Sequence, residues 1–127
     1  MAEIPYSETV YIVDPSPDES RRMADALACE PVVVKSYDRA AQFLEQVGSI
    51  ASGCVLVPVD LPGMGLRALM DEINRRQLAL AVVVIGRDAE FAIAVELVRS
   101  GAFDFLEHPF SDRRLRSVIR RAIGAGG

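Results

Sequence analysis

Short runs of aliphatic and β-branched residues alternate with amphipathic segments five times along the chain, and this alternation constrains the fold more than any other feature. Val10–Val13, Val32–Val34, Cys54–Val57, Leu80–Ile85 and Phe103–Leu106 are apolar and short, as strands covered on both faces are. Between them lie helical stripes. Ser16-Pro17-Asp18-Glu19 reads as an N-cap, a first-turn proline and a Ser-x-x-Glu capping box ahead of Met23 and Leu27. Ser36 and Asp38 open a second helix carrying Ala40, Phe43, Leu44 and Val47, with Gly48 as its stop. Leu66, Leu69, Met70 and Ile73 mark a third. Asp88 caps a fourth, in which Phe91, Ala94, Val95 and Val98 face the core and Gly101 closes the last turn. Ser111 caps a fifth with Leu115, Val118, Ile119 and Ala122 inward. Strict alternation predicts an α/β fold: a doubly wound parallel sheet of five strands with five helices and right-handed crossovers.

With 127 residues, half of them hydrophobic, the chain is expected to form one domain with one real core. Residues 1–8, containing Pro5, read as a loose lead-in, and residues 124–127 (Gly-Ala-Gly-Gly) as a flexible end or a linker. The longest apolar run, Leu78–Gly86, is too short to cross a bilayer, and no signal-peptide pattern precedes it. Cys29 and Cys54 lack metal-ligand spacing and suit a reducing compartment, so a cytoplasmic location is expected. The formal charge of −4 argues against direct nucleic-acid binding by this domain.

Five parallel strands would gather Asp14, the segment Pro58–Asp60, Gly86 and the corner Glu107-His108-Pro109 at one edge, where open α/β sheets bind ligands. The residues there carry a resemblance. Ser100–Phe110 is similar to the stretch that typically reads Gly-Ala-x-Asp-Phe-Leu-x-Lys-Pro-Phe in receiver domains of two-component response regulators. Ile12-Val13-Asp14, Leu61-Pro62-Gly63-Met64 and Ala94-Val95-Glu96 fit the same family, particularly the receivers attached to nitrogen-regulation transcription factors. The resemblance covers residues 8–123 and implies a flavodoxin-like sheet in the order 2-1-3-4-5.

It also implies a chemistry: phosphoryl transfer from a histidine kinase to an aspartate, with Mg²⁺ on clustered carboxylates and a Lys and a Thr or Ser to neutralise and sense the phosphoryl oxygens. Carried over residue by residue, most of that machinery is missing. Asp14 is kept, but the second acidic place is Pro15. Counting from Gly53 and from Pro62 puts the acceptor's place at Pro58, the hydroxyl's place at Gly86 and the lysine's at His108. Proline is neither nucleophile nor ligand, glycine has no hydroxyl, and histidine is no permanent cation near neutrality. The expectation is a degenerate receiver with no catalytic residue and no cofactor.

Two sharper readings compete at this edge. Asp60 shares side-chain parity with residue 58 but lies about 6–7 Å further along, so it is a displaced acceptor using Mg²⁺ with Asp14, or else a solvated loop carboxylate. Asp14, Asp60 and His108 also have the ligand types of a transition-metal site, set against a hydrogen-bonded structural histidine. On the outer helices, Arg113, Arg114, Arg116, Arg120 and Arg121 read as a solvated face and an interface ahead of a phosphate-backbone contact. Ile93 and Leu97 lie off the core stripe. With Phe105, Arg113, Arg116 and Arg120 they define an expected contact face for a protein partner, an output domain or a second copy.

Overall fold

The computed structural model describes residues 8–87, 95–96 and 98–126. In chain order the elements are β1 (Glu8–Val13), α1 (Pro17–Leu27), β2 (Val32–Tyr37), α2 (Ala40–Gln46), β3 (Ser52–Pro58), α3 (Gly65–Arg75), β4 (Ala79–Arg87), β5 (Asp104–His108) and α4 (Asp112–Gly126). All strand pairings are parallel, and the sheet runs β2-β1-β3-β4-β5 as expected.

Strand parity explains the layering. Residues two apart share a face, so Val10, Ile12, Cys54, Leu56, Val83, Ile85 and Leu106 pack with Met23 and Leu27 of α1 and Leu115, Val118 and Ile119 of α4. The alternate set, Tyr11, Val13, Val55, Val57, Val82 and Val84, meets Phe43 of α2 and Leu66, Leu69 and Ile73 of α3. Each such aliphatic side chain, fully buried, contributes roughly 1.5–3 kcal/mol. The seven-residue α2 is too short to be stable by itself. Its anchor is Phe43, whose ring meets Tyr11 and Tyr37 edge-on at 5.3 and 5.6 Å.

Several local expectations change. β1 starts at Glu8, inside the expected lead-in. Ser36 belongs to β2, which runs on to Tyr37; Arg39 precedes α2 without a side-chain cap. Gly48 does not stop α2, because Val47 already leaves in an extended conformation. Gly124 does not end order: α4 continues to Gly126, since glycine lowers helix propensity by about 1 kcal/mol without forbidding a helix. Gly101 does have φ 115, and its N–H donates to the Val98 carbonyl at 3.1 Å.

The expected helix between β4 and β5 falls mostly outside the described residues, including Asp88, Phe91, Ile93, Ala94 and Leu97. Residues 95–96 and 98–99 are helical, but Val95 and Val98 are 42% and 47% exposed. The predicted inward stripe therefore does not hold for these two positions.

Guanidinium groups finish two helices that lack glycine caps. Arg116 Nη1 donates to the Ala26 carbonyl at 3.0 Å, and Arg76 Nη1 to the Leu44 carbonyl at 2.8 Å. Both carbonyls sit in the last turn of a helix, where the peptide dipoles leave unsatisfied oxygens and favour positive charge. Arg120 forms a bidentate pair with Glu30 at 2.9 and 2.7 Å, and Arg121 reaches Asp104 at 3.2 Å. Arg116 and Arg120, two of the expected contact-face residues, thus also engage the end of α1 and Glu30 within the chain. Arg113 is exposed. Among the described residues, no helix is long and apolar enough to cross a membrane.

Candidate functional site

The carboxyl edge of the sheet holds a cavity of about 450 Å³. Asp14, Pro58, Asp60, Gly86 and His108, the positions that sequence reasoning brought together, all line it, joined by Glu19 and Arg87. Each is placed by the end of a strand. β1 ends at Val13, and the Asp14 N–H donates to the Tyr37 carbonyl at 2.9 Å, which holds the residue at the β1–β2 seam. Asp14 Oδ1 then accepts the Ser16 N–H at 2.8 Å, and Ser16 Oγ accepts the Glu19 N–H at 3.3 Å. The capping box is therefore only half made. Asp14 takes the amide that Glu19 would have capped, and the Glu19 carboxylate is free to turn toward the cavity.

Glu19 Oε1 lies 3.9 Å from His108 Nε2, a separation for electrostatic attraction and too long for a hydrogen bond. His108 ends β5 in register with Arg87, and its peptide bond to Pro109 is cis. The imidazole packs on Phe110 with centroids 4.9 Å apart. Arg22, one turn after Glu19 on α1, lies 4.7 Å over the same ring and donates through Nη2 to the Phe110 carbonyl at 2.5 Å. The His108–Phe110 corner is thus clamped to α1. Sequence reasoning assigned Glu19 a capping role and gave Arg22 none; their i, i+3 spacing on an exposed helix face was the available signal.

On β3, Pro58 is the last strand residue, opposite Ile85. Its carbonyl accepts the Leu61 N–H at 3.3 Å, so the chain turns at once and carries Asp60 out to solvent. Gly86 sits between Ile85 and Arg87 at the end of β4. No side chain along the ends of β3 and β4 that faces this cavity combines a nucleophile with a hydroxyl partner, since the places are held by Pro58 and Gly86.

Electrostatically the cavity is acidic. Burial pushes the Asp14 carboxyl above its ordinary range; the Ser16 N–H offsets part of this, the Glu19 and Asp60 carboxylates add to it, and His108 opposes it. Resident Mg²⁺ of the kind the family resemblance implies would demand several converging oxygen ligands. At the family's own positions the donor set is incomplete: Pro15 and Pro58 supply no side-chain oxygen, and one Asp14 oxygen is already used by an amide. Among the described residues, no three His, Cys, Asp or Glu side chains are grouped to hold a metal ion, so Asp14, Asp60 and His108 do not form the three-ligand centre considered from sequence.

Of the expected contact-face residues, Phe105 is half-buried on β5 and packs against the α2–α3 side of the core. Ile93 and Leu97 lie outside the described residues.

Comparison with known proteins agrees with the fold and with the resemblance. The response regulator receiver domain family matches residues 10–120. The transcriptional regulatory protein FixJ of Azorhizobium caulinodans is 31% identical over 121 residues, covering 95% of this chain and 57% of that protein. The DNA-binding transcriptional regulator NtrC of Escherichia coli is 28% identical over 114 residues, covering 90% of this chain and 24% of that protein. Among solved structures, full-length FixJ from B. japonicum superposes with a TM-score of 0.86 at 27% identity, covering 96% of this chain and 60% of that one. NtrX from Brucella abortus also gives 0.86, at 29% identity, covering 95% and 28%. The chain spans little more than half the length of the FixJ proteins it matches. By family match and fold together, this chain belongs to the response regulator receiver domains.

Proposed function

We propose that this receiver domain works as a regulatory module of a longer transcriptional regulator, passing its signal through protein contacts and taking no phosphoryl group on aspartate. It is a binding module, not an enzyme, works in the cytoplasm, and needs no resident metal. The observation that carries this reading is Pro58 at the carboxyl end of β3, opposite Ile85, with Asp14 the only carboxylate among the family's functional positions. A lost nucleophile and an incomplete ligand set remove the reaction while the fold and its surfaces remain. The named roles of FixJ and NtrC as transcriptional regulators, and the part of their length that this chain covers, support an output domain as one partner. A second copy meeting the surface around Phe105 and Arg113 is the other.

One observation favours a second reading. Asp60 shares the cavity with Asp14 closely enough to help raise its pKa, so Asp60 with added Mg²⁺ is the competing acceptor. Mg²⁺ titration followed by amide NMR separates the two. The first reading predicts no saturable shifts at Asp14, Asp60 and His108; saturable shifts at Asp14 and Asp60 together would favour the second.

A further inference from the structure

A second concavity among the described residues lies away from the strand ends. It is an open groove of about 1020 Å³ on the outer side of β5, between Val95, Val98 and Arg99 and the start of α4. Its apolar wall is Val95, Val98, Phe105 and Pro109, and the two valines are nearly half exposed. Arg99 and Arg114 stand along it, and among the described residues neither guanidinium has a carboxylate or carbonyl partner. Two carboxylates share the lining: Asp104 is paired with Arg121 at 3.2 Å, and Glu107 is exposed on β5, which among the described residues leaves the two arginines in excess of the one unpaired acid. Unpaired positive charge beside uncovered apolar surface, in a volume of small-ligand size, has a definite chemical complement.

We infer that this groove binds a small amphipathic carboxylate, its apolar body against Val95, Val98 and Phe105 and its anionic head between Arg99 and Arg114. Guanidinium groups suit a carboxylate because their paired N–H donors match its two oxygens. Hydrocarbon against the valines removes from water surface that the fold leaves exposed. The groove ends on Pro109 and Phe110, the corner that Arg22 clamps to α1, so an occupant would touch the same segment that closes the strand-end cavity. A domain without phosphoryl chemistry would in this way have an input of another kind on its contact face. The inference concerns a site apart from Pro58 and Asp60, and it stands or falls independently of phosphorylation.

The probe is octanoate, titrated into the full chain and followed by amide NMR and thermal unfolding, with octan-1-ol as the uncharged match. The expected result is saturable shifts at Val98, Phe105 and Arg114, a raised Tm, and affinity that falls with added salt. Octan-1-ol should bind at least tenfold more weakly, and R99Q and R114Q should each weaken octanoate several-fold. Both arginines are exposed, and the amide spectrum of each variant verifies its fold directly. Equal binding of octan-1-ol, unchanged affinity in the double variant, or shifts confined to the strand-end cavity would overturn the inference. So would concentration-dependent dimerisation through Val98 that octanoate does not disturb, because the groove would then be filled by a second copy.

Discussion

Replacing Gly53 with alanine tests the packing that positions the strand-end residues. Gly53 is the second residue of β3, in register with Thr9 on β1, and has φ 130. A Cβ built there would lie 2.0 Å from the Thr9 carbonyl oxygen and 3.0 Å from both the carbonyl carbon and the amide nitrogen. All three atoms are backbone, so no side chain can swing away. The β1–β3 pair must open or Gly53 must change conformation. Forcing a non-glycine residue to positive φ costs about 1–2 kcal/mol. Overpacking a well-filled interior adds about 1–3 kcal/mol. Their sum, about 2–5 kcal/mol, is a large share of the roughly 5–15 kcal/mol that holds a domain of this size. Urea unfolding of Gly53→Ala should therefore show a much lower midpoint at an unchanged m-value. Amide shifts should spread along β1 toward Asp14, which the same strand carries into the cavity. A loss below about 1 kcal/mol would refute this account of the β1–β3 contact.

Three further outcomes follow from local geometry. Gln77 has φ 55 just after α3, so Gln77→Gly should raise stability by up to about 1 kcal/mol in thermal or urea unfolding, the relief of strain exceeding the entropy cost of glycine. Arg22→Ala removes the bond to the Phe110 carbonyl and the cation–π contact; a loss of about 1–3 kcal/mol is expected, with ring-current changes at His108 in the proton spectrum. Acid titration should show opposed contributions. Arg75 and Arg76 hold Glu72 down to about 2, so its stabilisation is complete above the ordinary glutamate range and disappears as pH falls toward that value. Asp14 has the reverse sign: its raised carboxyl binds a proton more readily folded than unfolded, so its contribution weakens the fold as pH rises through its native pKa, and Asp14→Asn should raise Tm at neutral pH but not below pH 3.

The sheet was legible because its inner strands are buried on both faces and so read as unbroken apolar runs such as Leu80–Ile85, a signal that needs no knowledge of neighbours. The helices with a full apolar stripe, α3 and α4, were legible for the same reason. Element ends were less so, since they depend on partners distant in sequence. Arg116 completes α1 across 90 residues and Arg76 completes α2 across 32, and no local motif announces either. Val95 and Val98 have core spacing but remain exposed, because a helical stripe is buried only if something packs on it. At the strand ends, sequence placed Asp14, Pro58, Asp60, Gly86 and His108 in one cavity correctly, since topology alone brings carboxyl ends together. It did not find Glu19 facing His108, because the competition between Asp14 and Glu19 for the Ser16 N–H is decided by geometry and not by residue type.

The most direct test of the central claim is incubation of the chain with acetyl phosphate and Mg²⁺, followed by intact mass, alongside Asp60→Asn and a phosphorylatable receiver as positive control. With Pro58 at the end of β3, no phosphoryl adduct should form on this chain under conditions that modify the control. A stoichiometric, base-labile adduct that disappears in Asp60→Asn would contradict the account and establish Asp60 as a relocated acceptor.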